Sequence, residues 1–293
     1  MGGGWNAGFR QSVGTGCRLS RAVWRGGAMR KYAACIAVTF KNTQVYRMDL
    51  LFKILGSFLL VVAMRETWIA IYGSGTGMPS NTGVSLQEMA TYAMLSSMLV
   101  LLFGQSTLYE IADRVSTGDV VFELQKPWNY QFFYLCKEIG VSLSTLLYNV
   151  VPLFTASFLL FRMKLPTLGN VLPFLMSLLF AVALGFTLNF LIAMLAFSFT
   201  EIWGFWFMKN TVIQLCSGSF IPLWLFPEKM QAVLQWLPFQ GMYSIPLSIW
   251  IGKVSGAEAW GAVGFQAVWT IVLLAAGQLV LATLNRRLVT TGG

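Results

Sequence analysis

Residues 171–198, VLPFLMSLLFAVALGFTLNFLIAMLAFS, carry no Asp, Glu, Lys or Arg over 28 positions. As a helix rising about 1.5 Å per residue, this run exceeds the roughly 30 Å of hydrocarbon in a bilayer. Inside lipid every backbone polar group must bond within the protein, and a spanning barrel strand needs only about 9–11 residues. The run is therefore read as a membrane helix. Composition agrees, because 56% of the residues are hydrophobic and only 11% are charged. A soluble domain carries about 25% charged residues, and a disordered chain is far less apolar. Both classes are excluded, which leaves an all-α, polytopic membrane protein.

Six transmembrane helices are expected, over 50–72, 88–109, 138–161, 171–198, 205–226 and 260–284. Pro152 should kink the third, whereas Pro173 falls near the start of the fourth, where proline costs little. Lys53 can snorkel from the first span to the inner surface. Eight basic residues precede the first span (Arg10, Arg18, Arg21, Arg25, Arg30, Lys31, Lys41 and Arg47), with no Asp or Glu among them. With both termini inside, Arg114, Lys126, Lys137, Lys209, Arg286 and Arg287 bring the inner cations to 14, against Arg162, Lys164, Lys229 and Lys253 outside. That asymmetry follows the positive-inside rule and predicts cytoplasmic termini. The basic excess is thereby an orientation signal, and no nucleic-acid partner is implied.

Residues 1–28 form a basic, Gly-rich tail without the apolar core of a secretory signal. Asn6 stands where a myristoylation motif needs Ser or Thr. Over 30–47, Ala33, Ile36, Ala37 and Phe40 recur at helical spacing, predicting an amphipathic helix lying on the inner leaflet. The transmembrane domain then occupies 29–287, followed by a short cytoplasmic C-terminus at 288–293.

The sequence offers little catalytic chemistry. Histidine is absent, and Cys17, Cys35, Cys136 and Cys216 form no CxxC pair, so no metal site is expected. The glycines at 73–77 are not followed by Lys-Ser/Thr, so no Walker A loop is present. This chain is expected to have no ATPase site of its own and not to be an enzyme.

Two connecting segments are unusual. The inner loop, 110–137, places Val120, Val121, Phe122 and Leu124 among Glu110, Asp113, Arg114, Asp119, Glu123 and Lys126. A solvated connector has no use for that apolar content, whereas a short amphipathic element docking into a partner's groove does. On the outer side, Pro222, Pro227, Pro238 and Pro246 cut a half-apolar segment into pieces too short to span. Such pieces dip into the outer leaflet and return, and are expected as re-entrant helices between spans five and six.

These residues carry a family resemblance. Gly218 to Pro227 reads G-x-F-x-P-L-x-x-F-P and is followed by Leu237-Pro238-Phe239. The inner stretch from Gly118, Asp119 and Val120 through Leu124 to Lys126 and Pro127 reads G-x-[VIL]-x-x-x-L-x-[RK]-P. Together with Tyr46-Arg47 before the first span, the pattern resembles ABC-2-type transporter permeases over about 29–287. The resemblance implies two six-helix permeases, identical or different, and two copies of a nucleotide-binding subunit that hold ATP and Mg. It implies a coupling helix in the inner loop, with Arg114, Gly118, Asp119, Val120, Phe122, Glu123, Leu124, Lys126 and Pro127 as candidate ATPase contacts. It further implies export of an amphipathic, lipid-like, drug or peptide substrate across the bacterial inner membrane.

Candidate path-lining residues are the polar ones within spans: Arg65, Glu66, Asn149, Asn189 and Gln214. Intramembrane charges cost about 2.5–3.5 kcal/mol each, so they pair or face water. Arg65 and Glu66 read either as the mouth of a path or as a pair snorkelling to the outer headgroups. Uncharged residues in spans more often bond neighbouring helices. The alternative function is an ATP-independent secondary transporter or channel, for which Glu66 is the candidate coupling carboxylate.

Overall fold

The computed structural model describes residues 28–42, 47–73, 84–104, 106–126, 128–199 and 201–291. All of the expected tail but Ala28, together with Tyr46 and Pro127, lies outside the described residues. Every regular element among those described is helical: α1 (Ala28–Asn42), α2 (Arg47–Gly73), α3 (Leu86–Leu99), α4 (Ser106–Ser116), α5 (Val120–Leu124), α6 (Tyr130–Thr145), α7 (Val151–Phe161), α8 (Leu168–Met194), α9 (Trp203–Cys216), α10 (Glu228–Leu234), α11 (Ser244–Ile251) and α12 (Gly256–Thr291).

Five stretches are long and apolar enough to cross a membrane: Leu50–Tyr72, Leu86–Ser116, Tyr130–Phe161, Leu168–Phe197 and Gly256–Leu284. The helix expected at 205–226 stops at Cys216 and has 14 residues, about 21 Å. Gly218 then turns the chain with φ +82. Tyr92 Oη donates to the Gly218 carbonyl at 2.6 Å, and Ser96 Oγ to that of Ser219 at 2.6 Å. Hydroxyls of α3 thus replace the helical bonds that these carbonyls would otherwise make.

The core is built on α3 and α8. All residues from Met89 to Leu99 are buried, and Ser85 starts that helix with a capping box closed by Glu88. α8 packs along α12 and also touches α11 and α4. Gln266 of α12 ties this layer together by donating to the carbonyls of Gly241 at 2.7 Å and Ser177 at 3.2 Å. By contrast, Leu51, Phe52, Leu55 and Leu59 leave α2 with an exposed apolar flank. Lipid or a second membrane helix can cover such a flank without any polar cost.

At Pro152, where a kink is expected, the structure has a π-helical turn over Leu146–Val150, separated from the proline by Val151. Pro152 has no N–H to give, and the wider turn takes up the interrupted ladder. α1 is amphipathic as expected, but its buried face differs. Cys35 is buried, whereas Ala33 and Ala37 are exposed. α1 packs against α6, with Tyr32 edge-on to Phe132 at 4.8 Å and Phe40 beside Tyr148 at 5.9 Å. Gly140 permits the approach, since a Cβ there would sit 2.9 Å from the Ile36 carbonyl.

Candidate functional site

α4 and α6 both run deep into the expected 110–137 loop, so the true connection is only 117–129. α4 ends with Thr117 N–H and Thr117 Oγ1 both donating to Asp113 O, each at 2.9 Å. Gly118 follows with φ +80, the left-handed position that favours glycine at a helix end. Asp119 then precedes the five-residue helix α5 without a side-chain capping bond. Asn129 opens α6 by accepting from Phe132 N–H at 2.9 Å, and Gln278 of α12 donates to the same oxygen at 2.9 Å.

One turn of helix has two faces here. Val120 and Glu123 are buried, at 3% and 8% exposure, while Val121 and Phe122 stand out at 44% and 68%. Val120 belongs to a core of Leu108, Ile111, Tyr134 and Phe190, with Leu124 packed against it. Glu123 was expected among the partner contacts, but it lies beneath the knob. Its Oε2 accepts from Tyr134 Oη at 2.8 Å, and its Oε1 lies 3.5 Å from Arg114 Nη1. Arg114 also reaches Glu110 at 3.8 Å, and Glu110 pairs with Lys137. A buried carboxylate needs such partners, because desolvation is costly without them. The chain Glu123–Arg114–Glu110–Lys137 therefore joins α5 to α4 and α6. Nearby, Lys126 covers the Trp128 ring at 5.1 Å, and Trp128 stacks on Phe133 at 4.8 Å.

The expected path residues do not converge. Arg65 and Glu66 pair with each other, and Arg65 sits 4.5 Å from the ring centroid of Phe161, at the end of α7. Asn149 lies in the π turn, its Oδ1 buried and without a hydrogen-bond partner among the described residues. Gln214 is exposed on α9. In the outer segment Pro227 directly precedes α10, the buried Pro238 opens a 3-10 turn, and Pro222 precedes another at Leu223–Leu225. Phe239 packs against the main core, and Pro246 is buried near the start of α11.

Asn189 belongs instead to a polar cluster that sequence reasoning missed. Its Nδ2 donates to Gly104 O at 2.9 Å, where the second membrane stretch breaks between α3 and α4. Its Oδ1 accepts from Lys209 Nζ at 2.5 Å, so Lys209 lies against α8 and not in an inner turn. Beside them Thr107 donates to Glu138, which is only 2% exposed. Glu138 directly follows Lys137 and reads as the edge of a loop. The available signal was the small and polar interruption Gly104-Gln105-Ser106 inside an apolar run.

A bundle of long apolar helices around α3 and α8, with a capped knob between two of them, defines a multi-pass α-helical membrane protein. More particularly, the chain belongs to the ABC-2 transporter family: a family model described as "ABC-2 family transporter protein" matches residues 51–292. Membrane proteins of this family generally pair with ATPase subunits and dimerise. A comparison with curated proteins gives no match.

Proposed function

We propose that this chain is the permease subunit of an ATP-driven exporter, coupled through α5 to a separate nucleotide-binding subunit. The observation that carries this reading is the knob itself. Val121 and Phe122 are exposed, while Glu123 anchors them to α4 and α6. Force applied to Phe122 would reach two membrane helices through the Arg114–Glu123 ion pair and the Tyr134–Glu123 hydrogen bond. ATP and Mg would be held by two ATPase copies, and a second permease chain, identical or different, would complete the path. The substrate class is amphipathic: lipid-like, drug or peptide.

In this reading α9 and the turn after Cys216 make a sixth crossing, and α10 and α11 are re-entrant elements at the outer face. Both termini are cytoplasmic, and the membrane is the bacterial inner membrane. The cation asymmetry of the sequence supports that orientation.

Co-reconstitution with the partner ATPase tests the proposal. Phe122→Ala should leave the chain folded and abolish substrate-stimulated ATP hydrolysis. Full stimulation in that variant would remove α5 from the coupling role. A buried Glu138 is what an ion-coupled carrier would use, so the second reading is secondary transport. Uptake into liposomes lacking any ATPase would decide for it.

A further inference from the structure

The end of the bundle opposite α5 carries a lysine set over a tryptophan ring at the edge of two cavities. α11 ends at Ile251, and Gly252 closes it with φ +84. Gly256, the first residue of α12, repeats the left-handed geometry at φ +59, and the link between the two glycines presents Lys253. Lys253 Nζ stands 4.1 Å from the ring centroid of Trp224. Among the described residues it forms no ion pair, whereas Lys164 at the same end is held by Glu88 at 2.5 Å. The Trp224 Nε1 donor is buried and has no hydrogen-bond partner among the described residues.

Two cavities meet at Lys253. One, of about 350 Å³, has an apolar side formed by Leu223, Ile245, Ala262 and Phe265 and a polar side that includes Gln231, Gln235 and Gln240. The other, of about 380 Å³, is more polar and is lined by Lys164, Glu88 and Thr167. The buried indole N–H lacks the acceptor that buried donors normally have, and the exposed Lys253 ammonium over the same ring adds positive charge, so the pair favours an anionic ligand. The apolar side calls for a hydrocarbon portion on the same molecule. The surrounding surface shows where such a molecule resides. Leu168, Leu172 and Leu175 at the start of α8 are exposed, and so is Trp260 at the start of α12. Exposed leucines beside tryptophans mark the boundary between acyl chains and headgroups.

We propose that these cavities form one binding site for an anionic phospholipid of the surrounding bilayer. Its phosphate lies at Lys253, and the first part of its apolar body lies in the cavity bounded by Leu223 and Phe265. The assignment is independent of ATP coupling, since it concerns only what this end of the chain binds.

The full chain in nanodiscs of phosphatidylcholine containing photoreactive phosphatidylglycerol tests it. Cross-links should map to the peptides bearing Trp224 and Lys253. Lys253→Gln should lower labelling about fivefold, the factor one cation contributes near an anionic lipid surface. Lys253 is exposed, so its replacement leaves the fold intact. Lys253→Arg should retain labelling, and so should Lys229→Gln, which removes a cation from neighbouring α10. Unchanged labelling in Lys253→Gln, or equal labelling by photoreactive phosphatidylcholine, would overturn the proposal. Excess glycerol 3-phosphate should leave the labelling intact. Displacement by it would assign the site to a soluble anion and overturn the lipid assignment.

Discussion

Arg114 Nη1 lies 3.5 Å from Glu123 Oε1, joining the last turn of α4 to the buried face of α5 across the Gly118 turn. The pair is largely screened from water, with side-chain exposures of 25% and 10%. Glu123→Ala should therefore lower stability by about 1–3 kcal/mol, since it leaves Tyr134 Oη and Arg114 without their shared acceptor. Glu123→Gln keeps an acceptor for Tyr134 and should cost less. Unfolding by SDS titration in mixed micelles measures both, and equal losses would mean that the charge carries the whole effect and the acceptor kept for Tyr134 contributes nothing.

The cluster at the α3–α4 break makes a second prediction. Asn189 satisfies the carbonyl of Gly104 and accepts from Lys209, so Asn189→Ala orphans two groups at once. A loss of about 2 kcal/mol is expected, more than the roughly 0.6 kcal/mol average for one polar contact between membrane helices. Lys209→Met removes only one of the two bonds and should cost less. The same SDS titration orders the two variants, and a larger loss for Lys209→Met would place the main bond on α9.

The long apolar helices were legible because their signal is length, which tertiary packing cannot disguise. The knob was legible in outline, since Gly118 and the apolar residues 120–124 mark a turn followed by a sided element. Which side faces outward was not: Val120 and Val121 are identical in sequence, yet one is buried and the other exposed. That choice is made by Tyr134 and Arg114, residues from two other helices. Glu138 was hidden for a similar reason. Beside Lys137 it looks solvated, but α6 begins at Tyr130 and carries it inward. The early end of α9 was equally unreadable, because the hydroxyls that replace its helical bonds come from α3, more than 100 residues earlier.

Those hydroxyls can be tested directly. Tyr92 is 1% exposed and donates to Gly218 O at 2.6 Å. Tyr92→Phe keeps the ring, and with it the edge-on contact to Trp224 at 5.0 Å, but leaves the carbonyl unpaired. The expected loss is about 1–2 kcal/mol. Ser96→Ala should add a similar amount through Ser219 O. Loosening of the 217–222 turn should then appear as faster hydrogen exchange confined to that turn. Exchange unchanged in the double variant would show that other contacts hold the turn.

The packing of α1 on α6 depends on Gly140 having no side chain. A Cβ there would lie 2.9 Å from the Ile36 carbonyl and 3.0 Å from Thr39 Cβ. The first of these is backbone, so no rotamer change relieves it, and α1 must move as a unit. Gly140→Ala should cost about 1–3 kcal/mol through overpacking. Gly140→Val, which projects two methyls into the same gap, should detach α1 from the bundle. Detachment would expose the 28–42 segment to trypsin at Lys31 and Lys41 while the membrane helices stay protected. If both variants resist trypsin as the parent does, α1 is held by its aromatic contacts, Tyr32 with Phe132 and Phe40 with Tyr148, and not by the close backbone approach.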